Sequence, residues 1–441
     1  MKILFISLGC DKNTVDSESM IGLLQEKGYQ FTDDETEAEI IIVNTCCFIG
    51  DAKEESINTI LEMAQYKESG SLKALIVTGC LAQRYKEEIQ KEIPEVDAIL
   101  GTTAIDQIVT AVEKTLEGKE ENFVMDCNRM PRVQAKRSLS TGGHFAYLKI
   151  AEGCDKCCSY CIIPKVRGSF RSVPMEDLVE EAKALVAGGV KEIILVAQET
   201  TLYGKDLYGK KSLPELLHAL NQIAGLYWIR ILYCYPEEIT EELITAIKTE
   251  EKVCHYLDIP IQHASDDILK RMGRWTNRAH LQEIIGKLRK EIPDIALRTT
   301  LISGFPGETE YDHEILMDFV DEMEFDRLGV FPYSPEEDTV AAEMDNQIPE
   351  EIKLDRQAEL MELQQEIAFE KAENTVGQTM MIMIEGYLPE EGTYIGRSYK
   401  DTPNVDGYVF VNTDRNLMSG DFVQVKIIGS YEYDLIGEVV E

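Results

Sequence analysis

Apolar runs of strand length alternate with stretches of helical spacing through the first hundred residues. The runs cover residues 2–8, 39–45 and 73–78, with a shorter one at 98–100, and the helical stretches cover 16–27, 53–65 and 105–116. Continuous apolar strands divided by helices bury themselves as a parallel sheet covered on both faces. Each of the first three runs is followed at once by a cysteine: Cys10, Cys46 and Cys80. Ligand sites in open parallel sheets form at the carboxyl ends of strands. The three thiols are therefore expected on one edge, within reach of one another. A single such cysteine is an ordinary small buried hydrophobe; three at the same structural position point to a metal site. Cys47 follows Cys46 directly and is read as packing.

The pattern then changes. Residues 118–143 lose periodicity and carry Arg129, Arg132, Lys136, Arg137 and two adjacent glycines, which reads as a linker with a basic turn. From 144 to 373 the α/β alternation resumes, with candidate strands at 146–151, 192–197, 228–232, 256–260, 296–303 and 328–332. Six strand–helix units predict a partial (β/α)6 barrel of the TIM type. Residues 349–373 read as an amphipathic helix leaving it. In 374–441, short alternating runs at 380–384, 408–411, 422–428 and 433–440 predict a small antiparallel β-barrel. The expected units are thus 1–117, a linker 118–143, a barrel 144–373 and a second barrel 374–441.

A chain of 441 residues is too long for one core. It contains no run of eighteen apolar residues, so no membrane span is expected. The short amino-terminal apolar run leads into Asp11, Lys12 and Asn13 and reads as a first strand rather than a signal peptide. A cytoplasmic protein is the default. Thiols stay reduced there, so eleven cysteines argue for metal rather than disulfides. The net charge of −36 opposes binding to bare nucleic acid and suits basic proteins or small molecules, although such charge also simply keeps a chain soluble. Residues 374–441 carry eleven Asp or Glu against four Lys or Arg, a balance of −7. That is wrong for a phosphate-binding surface and right for gripping a basic protein.

Directly after the first barrel strand come Cys154, Cys158 and Cys161, spaced Cys-x3-Cys-x2-Cys, at the end where such barrels place their chemistry. A structural zinc site asks for four closed ligands. Three thiolates in one loop can instead hold three irons of a cubane cluster and leave the fourth open. An open iron can bind the amino and carboxylate groups of S-adenosylmethionine (SAM), and reduction then splits a carbon–sulfur bond to give a deoxyadenosyl radical. Counting Cys157 in place of Cys158 would reverse the spacing, so it is not taken as a ligand. Tyr160 either packs on adenine or only against its own loop. Gln198 and Glu199 end the second barrel strand, and Arg298 on the fifth can pair with a carboxylate. Gly304 and Gly307, at the end of that fifth strand, would let backbone approach adenine or ribose, although strand-to-helix turns use glycine routinely.

The segments Ser7-Leu-Gly-Cys10-Asp-Lys-Asn-Thr-Val-Asp-Ser-Glu18, Ala146-Tyr-Leu-Lys-Ile-Ala-Glu-Gly-Cys154 and Cys161-Ile-Ile-Pro-Lys-Val-Arg167-Gly resemble the radical SAM methylthiotransferases. The resemblance covers essentially the whole chain and makes the last unit a TRAM barrel. It implies two 4Fe-4S clusters, one on Cys10, Cys46 and Cys80, the other on Cys154, Cys158 and Cys161. It further implies transfer of a methylthio group to the β-carbon of an aspartate in ribosomal protein S-twelve, met free or in the small subunit. The radical would take hydrogen from that carbon, and the open iron of the amino-terminal cluster would deliver sulfur. One SAM would give the methyl and another the radical, with an electron donor and a sulfur source outside the chain. A tRNA-modifying branch (MiaB type), acting on isopentenyladenosine, is the first alternative. It carries Tyr-Gly-Cys-Gln-Met-Asn where this chain has Leu8-Gly-Cys10-Asp-Lys-Asn13, and a tRNA enzyme should present a basic surface. The second alternative is a non-enzymatic iron–sulfur carrier or redox sensor. The glycine-rich strand end, the enzyme-type barrel and the dedicated tail argue against it.

Overall fold

The structure, a computed structural model, describes residues 1–119, 122–131 and 136–440. Five parallel strands form the first sheet: β1 (Lys2–Ser7), β2 (Gln30–Phe31), β3 (Ile40–Thr45), β4 (Ala74–Gly79) and β5 (Ala98–Leu100), in the order β2-β1-β3-β4-β5. Side chains alternate across it. Leu4, Ile41, Val43, Leu75 and Val77 pack with Ile60 and Met63 of the helix Gly50–Ala64. Ile3, Ile40, Ile42 and Ile76 pack on the other face with Met20 and Leu24 of the helix Asp11–Glu26. Burial on both faces explains the unbroken apolar runs.

The helix expected over residues 16–27 begins earlier, at Asp11, straight after Cys10. Lys12, Asn13, Asp16, Ser17 and Glu18 are all buried in its first turns. This end of the helix buries polar groups, so apolar spacing could not reveal it. In the basic turn that follows the sheet, two of the cations are paired within the protein. Arg129 pairs with Asp106. Arg137 donates to Glu181 Oε1 at 2.6 Å, to the Tyr147 carbonyl at 2.8 Å and to Glu18. Arg132 lies outside the described residues.

In the central unit, β6 (Phe145–Lys149) leads into a short antiparallel pair, β7 (Ala151–Glu152) and β8 (Arg171–Ser172), which brackets the cysteine loop. Then come β9 (Glu192–Val196), β10 (Trp228–Ile231), β11 (Val253–Asp258), β12 (Ala296–Ser303) and β13 (Arg327–Pro332). The order β6-β9-β10-β11-β12-β13 is parallel throughout and is an open six-stranded sheet. One face packs Ile193, Leu195, Ile229, Leu257 and Leu297 against helical Leu178, Leu216, Leu217 and Leu281. The other face presents Tyr147, Ile194, Val196 and Tyr256, and it is filled by Val15 from the amino-terminal helix and Met383 from the last unit. Both neighbouring units therefore pack against this face of the central sheet.

The last unit closes as β14 (Thr379–Leu388), β15 (Thr393–Arg397), β16 (Val409–Asn412), β17 (Phe422–Tyr431) and β18 (Asp434–Val439), in the order β14-β15-β16-β18-β17. Two details differ from expectation. β15 lacked an alternating apolar signal, because its buried end is Gly396 and Arg397. Also, β16 and β18 run parallel, so the barrel is not wholly antiparallel. No helix among the described residues is long and apolar enough to cross a membrane.

Candidate active site

The carboxyl ends of β1, β3 and β4 bring the turns of Cys10, Cys46 and Cys80 together. Gly9 and Gly79 precede two of these cysteines with φ of +93° and +94°, a region that side chains other than glycine's resist. A Cβ on Gly9 would stand 3.2 Å from Cys46 Sγ. Asn13 fixes the group from the centre. Its Nδ2 donates to the carbonyls of Leu8 and Thr45 at 2.9 and 3.0 Å, and its Oδ1 lies 3.9 Å from Cys80 Sγ. Cys47, by contrast, packs into the sheet's core.

Cys154, Cys158 and Cys161 share the loop between β7 and the helix Ile163–Arg167. Ser159 pins that loop by donating from its amide to the Met272 carbonyl at 2.9 Å and from Oγ to the Arg271 carbonyl at 2.8 Å. Tyr235 Oη lies 3.8 Å from Cys158 Sγ. Tyr160 sets its ring edge-on to Phe305, with centroids 6.5 Å apart. Cys157 is exposed and turned to the Asp155 carbonyl. Burial pushes the Cys154 and Cys161 thiols up to about 12 and raises Cys46 and Cys80 as well, with Arg167 opposing the rise at both. Protonated thiols of this kind are inert alone and lose their protons on binding metal.

The other expected cofactor residues divide. Gln198 donates to Glu152 Oε1 at 2.8 Å, and its own Oε1 is buried without a partner in the structure. Glu199 receives Thr201's amide at 3.1 Å on Oε1, while Oε2 is buried and unpartnered. Burial pushes its carboxyl up to about 7. Both residues thus face the cysteine loop with unused hydrogen-bonding capacity. Arg298 is committed within the protein, donating to Asp258 Oδ1 at 2.9 Å and lying 3.6 Å from Asp406. Gly304 and Gly307 keep positive φ, but the space a Cβ would take is filled by Lys353 and by the Arg271 guanidinium. Their lack of a side chain makes room for those two residues.

Several residues that sequence reasoning passed over belong to this region. Arg274 is buried over the Tyr235 ring at 4.2 Å, with Nε and Nη1 unpartnered in the structure. Tyr233 sits at φ +59 just beyond β10. Its hydroxyl lies 3.2 Å from Asp11 Oδ2, and its ring lies 3.4 Å from Lys12 Nζ. Both residues follow Cys10 directly, so Tyr233 ties the barrel mouth to the first triplet. A bulky residue at positive φ is a strain signal that only the backbone can show.

The donor sets can be tested against a cluster. Among the described residues, no three His, Cys, Asp or Glu side chains are placed to hold a single metal ion. A cubane does not ask for that, since each thiolate takes its own iron. All six cysteines are free thiols, the soft donors that suit iron–sulfur chemistry.

Comparison with known proteins bears on the same point. Residues 2–101 match the uncharacterized protein family UPF0004, residues 148–320 the radical SAM superfamily and residues 376–440 the TRAM domain. A protein of Lachnoclostridium phytofermentans named ribosomal protein uS12 methylthiotransferase RimO is 66% identical, with 99% of each chain covered. The chain belongs to the RimO family. Relatives of the same name from Acetivibrio thermocellus and Geobacter sulfurreducens are 51% and 50% identical over 100% of this chain and 98% of theirs. The fold resembles the radical SAM methyltransferase TsrM of Kitasatospora setae, with a TM-score of 0.55 and 13% identity over 76% of each chain. It also resembles the cobalamin-dependent radical enzyme OxsB, with a TM-score of 0.52 and 15% identity over 77% of this chain and 54% of that one. The protein is accordingly an enzyme, a radical SAM methylthiotransferase that works with iron–sulfur and SAM.

Proposed function

We propose that the enzyme methylthiolates the β-carbon of an aspartate in ribosomal protein uS12, using two 4Fe-4S clusters. The observation that carries the two-cluster reading is the pairing of cysteine triplets across one buried junction, with Asn13 beside the first triplet and Glu152 two residues before the second. Cys154, Cys158 and Cys161 would hold the radical-generating cluster, and Cys10, Cys46 and Cys80 the sulfur-delivering one. A SAM-binding cluster supplies one-electron cleavage of SAM, giving a radical able to take hydrogen from an unactivated carbon. The protein's part is placement. Glu199 Oε2 and Gln198 Oε1 offer buried acceptors toward the SAM amino group, and the free N–H groups of Arg274 offer donors. Tyr160, set edge-on to Phe305, would border the bound SAM. The cluster unit 1–117, the barrel 144–373 and the TRAM unit 374–441 would thus divide sulfur delivery, radical generation and substrate grip. The acidic tail suits a basic protein held in the cytoplasm.

The test is mass spectrometry of uS12 incubated with reconstituted enzyme, SAM, a sulfur source and strong reductant. A gain of one methylthio group on an aspartate is expected. Modified tRNA with untouched uS12 would replace this reading by the tRNA one. Cys158→Ala is expected to abolish SAM cleavage, whereas Cys10→Ala is expected to keep cleavage and lose thiolation, with iron content confirming the loss of one cluster in each.

A further inference from the structure

Arg167 stands six residues beyond Cys161, at the last position of the helix Ile163–Arg167. It belongs to the radical loop in sequence, yet its guanidinium is 2% exposed and turned toward the other triplet. Nη2 donates to Asn13 Oδ1, the oxygen that lies 3.9 Å from Cys80 Sγ. Nη1 donates to Asp16 Oδ2 at 2.9 Å and to Glu152 Oε2 at 3.2 Å. Lys149 Nζ bonds the same two carboxylates. Asp16 is on the amino-terminal helix, while Lys149 and Glu152 flank the start of the cysteine loop. The junction therefore locks the two triplets at a fixed separation.

A plain structural role would have Arg167 neutralise Asp16 and Glu152. Lys149 already pairs with both, and only the guanidinium reaches on to Asn13. Three thiolates on a cubane leave a net negative charge, which one-electron reduction increases. A cation held in a low-dielectric site beside it favours the more negative state, as groups around the ligands do at other metal centres. Arginine keeps its charge in any such environment and is fixed here at both ends.

We propose that Arg167 is a positioning residue for the amino-terminal cluster: it holds Asn13 against Cys80 and supplies the buried positive charge that sets that cluster's reduction potential. The proposal rests on the reading that Cys10, Cys46 and Cys80 carry a cluster of their own. The experiment uses the full chain with Cys154, Cys158 and Cys161 replaced by alanine, reconstituted anaerobically with iron and sulfide. In that background Arg167→Met is expected to shift the reduction midpoint, followed by electron paramagnetic resonance, to more negative potential. Arg167→Lys is expected to hold it near the parent value. If Arg167→Met instead sheds its iron, the proposal requires that Arg167→Lys retain it. An unmoved midpoint in Arg167→Met, or a lysine variant as impaired as the methionine one, overturns the proposal. Should Arg167→Met fail to fold, R167M/D16N removes one charge of each sign from the junction, and its midpoint must show the same negative shift when compared with that of D16N alone. A parent protein without iron would overturn the two-cluster reading and this proposal with it. An iron-loaded parent whose midpoint ignores Arg167 overturns this proposal alone.

Discussion

Glu199 lies in the turn just beyond β9, fully buried, with one carboxylate oxygen bonded to Thr201 and the other unpartnered in the structure. Burial, only partly countered by Thr201 and Lys156, raises its carboxyl to about 7. Its folded value thus lies above the ordinary carboxyl range. Its contribution to stability is full below that range and is lost as pH rises through about 7. The loss is on the order of 3 kcal/mol. Glu199→Gln is expected to raise the melting temperature of the cluster-free protein at pH 8, to leave it nearly unchanged at pH 4.5, and to weaken SAM binding. Thermal scans at the two pH values and a SAM-binding titration check this. A residue that lowers stability at a proposed ligand site is the trade expected of a functional site. At this scale the cysteines were legible because thiol spacing carries its own chemistry. Asn13, Asp16, Glu152 and Arg167 were not, since single polar residues look alike in sequence until a fold brings them together.

Among elements, the loop after β13 does work that no motif announced. Glu336 is 2% exposed and pairs with Lys53 at 2.9 Å and Arg84 at 3.2 Å. Tyr85 donates to Glu337 Oε2 at 3.0 Å, and Ser334 Oγ receives the Gly50 amide at 3.2 Å. These contacts fasten the helices Gly50–Ala64 and Cys80–Arg84 to the barrel rim. Removing one partner of a buried pair costs about 3–5 kcal/mol, because the other charge stays buried. Glu336→Gln is expected to speed hydrogen exchange in those two helices and to lower methylthiolation while SAM cleavage continues. Exchange mass spectrometry beside the two activity assays reads both halves. Sequence periodicity placed most of the longer strands and most helices, because apolar faces repeat at fixed intervals. It missed the start of the helix Asp11–Glu26 and all of β15, whose buried residues are polar or glycine.

Across the whole molecule, the last barrel docks where β9 and β13 of the central sheet begin. Arg397 is buried between Glu192 and Glu385, and Arg230 donates to Glu192 Oε1 at 2.7 Å. Burial alone would raise the Glu192 carboxyl, but Arg397 and Arg230 hold it below its ordinary value. Asp401 pairs with Arg327, and Asp406 lies 3.6 Å from Arg298 and accepts from Tyr256 Oη at 3.1 Å. These acids lie at an internal joint, so the charge of the last unit is not all available to a partner. Arg397→Met is expected to loosen the joint, exposing the chain between the helix Glu350–Thr375 and β14 to limited proteolysis. Radical SAM cleavage is expected to survive, with uS12 modification reduced.

The sequence by itself determined the α/β class, the open six-stranded barrel, the terminal small barrel and the two groups of cysteines, because periodicity and thiol spacing are local properties. Tertiary structure alone decided how the units meet. The polar junction of Asn13, Asp16, Lys149, Glu152 and Arg167, the Glu336 clasp and the Arg397 joint each unite residues far apart in the chain. It also showed which internal partners surround Arg298, Gly304 and Gly307. Charge pairing and close approach depend on position in space, and no period along the chain encodes which arginine reaches which carboxylate.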